Sequence, residues 1–91
     1  MNTAFHEPFD LIISDPVKEL IAKKFDKTIV EEINKRVQKL KIAPDVYGKP
    51  LRGEMAGTWE IRFEKRWRIL YKINYAEKTV TVTDFKHKDE F

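Results

Sequence analysis

The chain contains no cysteine, which rules out a disulfide framework and any thiolate metal site. Its two histidines, His6 and His87, stand far apart in the sequence, so neither a metal site nor any cofactor is expected. Glycine is scarce, at three residues, and no glycine-rich loop of the kind that cradles phosphates is present. There is no carboxylate pair at a recognisable spacing and no strand–turn–helix nucleophile elbow. The longest purely aliphatic run, Leu11-Ile12-Ile13, is far too short for a membrane span or a signal-peptide core. A soluble, cytoplasmic protein without a membrane partner is expected. At 91 residues the chain should form one domain, residues 1–91, with one modest core. Charge, by contrast, is plentiful and unevenly placed. Residues 1–47 are neutral overall, residues 48–72 carry a net +4, and residues 73–91 carry a net −1. A local basic patch implies an anionic partner, most often nucleic acid.

That patch coincides with a β-hairpin signature. Trp59, Ile61 and Phe63 alternate with polar residues, and so do Trp67, Ile69 and Tyr71; such alternation marks two half-buried strands. With Glu64-Lys65-Arg66 as the loop, Phe63 faces Trp67, Ile61 faces Ile69, Trp59 faces Tyr71 and Arg62 faces Arg68. A two-residue loop at Glu64-Lys65 would put apolar and charged groups on one face, so the need for a buried face selects the first register. Like charges directly opposite on a sheet destabilise it by a few tenths to about 1 kcal/mol. Two guanidinium groups on one polar face are suited to holding a phosphate.

Around this hairpin the periodicity predicts a first strand over Phe9–Ser14. A helix follows from Asp15-Pro16, with Asp15 as a cap and Val17, Leu20, Ile21 and Phe25 on its apolar face. After a break at Asp26-Lys27, a Thr28–Glu31 capping box opens a second helix. It carries Ile29, Val30, Ile33, Val37 and Leu40 on one face and ends no later than Pro44. Ala43 to Pro50 reads as a loop, Leu51-Arg52-Gly53 as the start of a short strand, and Gly53 and Gly57 as brackets of a turn. Asn74 to Lys78 is a second turn region, and Thr79 to Thr83, extending to Phe85, is the last strand. The fold class is α+β: two N-terminal helices, a helical hairpin, packed on a three- to five-stranded antiparallel sheet in the order β-α-α-β-β-β(-β). Trp59, Phe63, Trp67 and Tyr71 belong to the core under this reading. A base-stacking platform is the alternative, disfavoured because these residues share the face that the helices must cover.

The residues left to carry chemistry are basic. Arg62 and Arg68 form the clamp. Lys49 and Arg52 precede it, Lys65 and Arg66 sit at the hairpin tip, and Lys86, His87 and Lys88 close the last strand. An arginine fork matches phosphate oxygens and can stabilise charge that builds on a phosphoryl group.

The run Gly48-Lys49-Pro50-Leu51-Arg52-Gly53, then Gly57 to Phe63, then Arg66 to Tyr71, then Val82 to Lys88 resembles the RelE/ParE toxin superfamily, and the β-α-α order before it is consistent with the same family. For the RelE branch the resemblance implies a ribosome-dependent endoribonuclease, an mRNA interferase. It would cut messenger RNA in the ribosomal A site without a metal and so inhibit translation. The ribose 2′-hydroxyl attacks the adjacent phosphate, leaving a cyclic phosphate and a free 5′-hydroxyl. It also implies a cognate RelB-like antitoxin, with acidic character and an amphipathic helix to suit a basic face. By position, Arg62 matches a basic residue of the third strand and Arg68 the arginine of a Tyr-Arg-aliphatic-aliphatic-Tyr motif. Lys88 matches a basic residue near the C-terminus. Lys49, Arg52, Lys65, Arg66 and Lys86 are left as candidate RNA contacts.

Three positions depart from the pattern. Glu60 stands where some RelE members carry a second lysine. Phe91 falls near the place of a tyrosine that some members use catalytically, and Lys88 replaces the commoner arginine. His87 is the nearest alternative for proton transfer, since histidine titrates near neutrality. These departures leave open the ParE branch, whose members inhibit DNA gyrase without cutting RNA, and a non-catalytic RNA-binding module.

Overall fold

The structure, a computed structural model, describes residues 8–90; His6 and Phe91 lie outside the described residues. Strand β1 (Asp10–Ile13) leads into helix α1 (Asp15–Lys24) and helix α2 (Lys27–Gln38), which continues as a 3-10 turn over Lys39–Lys41. A one-turn helix α3 (Pro44–Tyr47) precedes β2 (Lys49–Pro50), β3 (Trp59–Phe63), β4 (Trp67–Asn74) and β5 (Thr79–His87). Two further 3-10 turns span Gly53–Met55 and Lys88–Glu90. The sheet has five strands in the order β1-β5-β4-β3-β2. The α+β architecture, the two main helices and the antiparallel hairpin follow the sequence reading. The sheet as a whole is mixed, because β1 runs parallel to β5, with Asp10 opposite Thr79 and Ile13 opposite Val82. A parallel pair needs a crossover connection, and here the connection includes both helices.

Local chemistry shifts several boundaries from their expected places. Asp15 is the first residue of α1 and not its cap; Ser14 holds the N-cap in an extended conformation. Asp15 in the first turn and Lys23 and Lys24 in the last still complement the helix dipole. The Thr28–Glu31 capping box does not form, because α2 starts two residues earlier than that box requires. Asp26 is its cap, accepting a hydrogen bond from the Ile29 amide at 3.0 Å. Phe25 fixes that break by burying its ring edge-on against Trp67 and Phe85. The expected loop from Ala43 contains α3, whose first turn accommodates Pro44. The short edge strand is Lys49–Pro50, opposite Glu60 and Trp59, rather than Leu51–Gly53. Gly53 and Gly57, at φ +68° and +94°, turn the chain back before Thr58.

Both helices lay their apolar stripes on one face of the sheet. Val17, Ile33, Val37 and Leu40 meet Ile61, Phe63, Ile69, Tyr71, Val80, Val82 and Phe85. Trp59 and Trp67 pack against this cluster, half-buried, so the aromatic residues are core, as expected. Tyr71 is fully buried, and its hydroxyl donates to the Pro44 carbonyl at 2.6 Å. Gly48 lets the chain pass that hydroxyl, since a Cβ at this position would collide with it. Tyr71 thereby ties α3 and β2 to the middle of the sheet.

Candidate nucleic-acid interface

The hairpin register is the one the buried face selects: Trp59 opposite Tyr71, Ile61 opposite Ile69, Phe63 opposite Trp67, and Arg62 opposite Arg68. Arg68 is in turn opposite Lys86, so Arg62, Arg68 and Lys86 form a row of three cations across β3, β4 and β5 on the face away from the helices. A β-bulge makes this row. Leu70 is opposite Asp84 while Tyr71 is opposite Val82, which leaves Thr83 as an extra residue in β5. Unbroken pairing from Tyr71–Val82 would bring Phe85 opposite Arg68. The bulge instead returns Phe85 to the core and brings Lys86 beside Arg68.

Glu60 complicates the pair. Its carboxylate lies 3.7 Å from Arg62 Nε and 3.9 Å from Arg68 Nε, and its side chain is 11% exposed. It is therefore the counter-ion of two arginines whose mutual repulsion it offsets. Both separations exceed the 2.7–2.9 Å usual for charge-assisted hydrogen bonds, so the attraction is Coulombic and leaves donors unused. The two arginines also differ. Arg68 is 13% exposed and donates through Nη1 to the carbonyls of Lys65 (2.8 Å) and Trp67 (3.2 Å). Arg62 is 61% exposed and presents its guanidinium to solvent. One arginine secures the hairpin loop, and the other is free to meet a ligand.

The remaining sequence candidates divide by position. Lys49 pairs across the sheet with Glu60 and is exposed. Arg52 is exposed where the chain enters the Gly53–Met55 turn. Lys65 and Arg66 occupy the exposed hairpin tip, where Glu64 and Lys65 have φ values of 51° and 63°. Such left-handed conformations are uncommon outside glycine. Lys88 begins the terminal 3-10 turn, and its amide donates to the Arg66 carbonyl at 2.7 Å, tethering the C-terminal segment to the hairpin tip. His87 is opposite Trp67 on the helix side of the sheet, its ring edge-on to that indole at 5.1 Å. Its Nδ1 accepts from the Asp89 amide at 3.2 Å and lies 3.4 Å from the Asp89 carboxylate. The fold thus gathers Arg62, Arg68, Lys86 and Lys49 on one face and turns His87 to the other.

Sequence reasoning missed Arg36, Lys39 and Tyr47. With Lys49, Glu60 and Arg62 they line a cleft of about 280 Å³ between the end of α2 and the β2–β3 edge. The available signal was a basic pair, Arg36 and Lys39, at i,i+3 near the end of α2. Beneath the site, burial pushes the Tyr71 hydroxyl well above the ordinary tyrosine range, with Asp45 adding to the shift, so Tyr71 stays a neutral donor. Among the described residues no three His, Asp or Glu side chains gather as a metal site. No helix among them is long and apolar enough to cross a membrane.

The family model for the ParE toxin of type II toxin-antitoxin systems (parDE) matches residues 12–90. The fold recurs in a chain of the toxin–antitoxin complex RelBE2 from Mycobacterium tuberculosis. That chain is 27% identical, over 89% of this chain and 99% of its own, with a TM-score of 0.77. A YoeB/ParE toxin from Agrobacterium tumefaciens shares the fold at 23% identity, over 87% of this chain and 98% of its own, with a TM-score of 0.68. So does the isolated RelE toxin of E. coli, at 19% identity, 87% and 83% coverage, and a TM-score of 0.70. No curated protein matches the sequence closely. The match along nearly the whole described chain, on a fold shared with these proteins, means that the chain belongs to the ParE toxin family of type II toxin–antitoxin systems, within the RelE/ParE superfamily.

Proposed function

We propose that this toxin is a ribosome-dependent endoribonuclease that cleaves translated messenger RNA in the ribosomal A site and so inhibits translation in the cytoplasm. The row Arg62–Arg68–Lys86 on the open face of the sheet carries the proposal. In the reaction the ribose 2′-oxygen loses its proton and bonds to the adjacent phosphorus. The bond from phosphorus to the 5′-oxygen breaks, and that oxygen takes up a proton. The products are a cyclic phosphate and a 5′-hydroxyl, and no metal is required. Negative charge rises on the phosphate oxygens between these two states, and guanidinium groups fixed beside them favour the crowded intermediate stage over the ground state. Arg62 supplies the accessible fork and Lys86 a second point charge. Arg68, already held by two carbonyls, supplies a charge that needs no reorganisation. Lys88 and His87 act from the end of β5, where His87 is the candidate for proton transfer to a substrate that wraps that end. Lys49, Arg52, Lys65 and Arg66 contact the flanking RNA.

The proposed partner in the silent state is a RelB-like antitoxin, acidic enough to cover the basic face. Both the RelBE2 structure and a structure of E. coli RelE with a RelB peptide are complexes of this kind. A second reading, inhibition of DNA gyrase without nuclease activity, is favoured by the ParE family match and by the carboxylate already lying beside both arginines. Primer extension on a reporter message after induced expression separates the two. Cuts within translated codons support the ribonuclease, whereas intact message accompanied by DNA damage supports gyrase inhibition.

A further inference from the structure

The cleft at the end of α2 has a composition that the cation row does not account for. Arg36, Lys39 and Lys49 are exposed and have no carboxylate partner among the described residues. The one acid in the cleft, Glu60, is engaged by Arg62 and Arg68. Aromatic rings hold two of the cations in place. The Arg36 guanidinium lies 5.9 Å from the Phe63 ring centre and Lys39 Nζ lies 5.7 Å from that of Tyr47. The charged ends are thus drawn to ring faces while both residues stay exposed. Tyr47 is 47% exposed, so part of its ring is free. Three unpaired cations around one concavity repel one another unless an anion joins them. Phosphate-binding cations beside an exposed aromatic are the elements of single-stranded nucleic-acid recognition.

We propose that this cleft is a nucleotide subsite for single-stranded RNA, with Arg36, Lys39 and Lys49 on the phosphate and the base stacked on Tyr47. Arg62 borders both the cleft and the row, so a strand whose scissile phosphate lies at Arg62 and Arg68 runs on into the cleft with its next nucleotide. At about 280 Å³ the space is near the lower bound for small-molecule sites. That suits one nucleotide and is too small for a docked helix. The subsite deepens the ribonuclease reading and rests on RNA being the ligand of this face.

The test is fluorescence anisotropy of the purified full chain with a labelled short single-stranded oligoribonucleotide, at several salt concentrations and without ribosomes. Arg36→Ala/Lys39→Ala should weaken binding roughly tenfold and flatten the log–log salt slope by up to about 0.7, the loss of one phosphate contact to a single strand. Tyr47→Ala should weaken binding roughly fivefold or more, and Tyr47→Phe should bind as the parent does, because stacking needs only the ring. All three side chains are exposed, so folding is not at stake. Unchanged affinity and slope in the double variant overturn the subsite. Intact RNA binding with weakened capture of the cognate antitoxin also overturns it, and makes the cleft a protein interface. Loss of oligonucleotide binding in the variants, together with no message cuts by the parent, upholds the subsite and removes the nuclease. Message cuts with no contribution from the cleft do the reverse.

Discussion

Glu60 lies 3.9 Å from Arg68 Nε with both side chains nearly covered, and the same carboxylate reaches the far more exposed Arg62. The two arginines therefore have different duties, and substitution should separate them. Arg62→Ala and Arg68→Ala should each slow message cleavage by roughly a hundredfold or more, about 3 kcal/mol of transition-state stabilisation. Urea denaturation should distinguish them. Arg62→Ala should stay within about 0.5 kcal/mol of the parent, as expected for an exposed site. Arg68→Ala should cost about 1–2 kcal/mol through its lost bonds to the Lys65 and Trp67 carbonyls. Equal stabilities would refute the division of roles.

Glu60 itself opposes any incoming phosphate. Removing its charge in Glu60→Gln should tighten oligoribonucleotide binding several-fold at low salt, with the gain shrinking as salt screens the site. The same change should lower stability slightly, because the arginine pair loses its counter-ion. Anisotropy titrations at two ionic strengths, with a thermal melt alongside, check both halves. Weaker RNA binding in Glu60→Gln would mean that the carboxylate orders the arginines for the ligand instead of competing with it.

Tyr71 predicts an alkaline limit to stability. Its hydroxyl pKa is raised in the fold, whereas a tyrosine in the unfolded chain titrates near about 10. The native state thus holds the proton more tightly than the unfolded state. The associated stability is complete below about pH 10 and is lost as pH rises from there towards the folded value. Tyr71→Phe should cost about 1–2 kcal/mol at neutral pH, since the Pro44 carbonyl loses its buried donor. It should also flatten the decline above pH 10 in denaturation experiments. An equally steep decline in the variant would place the effect elsewhere.

For His87 the decisive measurement is a single-turnover pH–rate profile. If its imidazole accepts the 2′-hydroxyl proton, cleavage by the parent should rise with pH, and His87→Ala should abolish that rise. Its position against Trp67, on the opposite side of β5 from Lys86, makes an unchanged profile the informative alternative. Proton transfer would then fall to the ribosome or to water.

The hairpin was legible in the sequence because one buried face allows a single register, and Arg62 faces Arg68 as a result. The bulge left a trace: Val80, Val82 and Phe85 break strict alternation, and one extra residue restores it. That trace was readable only with the core residues in hand. The parallel pairing of β1 with β5 depends on where two helices carry the chain, which no local pattern encodes. Glu60 read as a missing lysine, and its role as a counter-ion depends on two side chains reaching back along and across strands. The cleft was hidden for the same reason: Arg36 and Lys39 are ordinary polar positions of an amphipathic helix until the helix end is set against β3.

The pairing of β1 with β5 also orders events during synthesis. Among the described residues, the first strand made, β1, has as its partner the last, β5. Lys86, the third cation of the row, lies in that same final strand. While translation continues, β1 has an open edge, the sheet stops at β4 and the basic row is incomplete. The row proposed to hold phosphate is thus assembled only once β5 has been made and has paired.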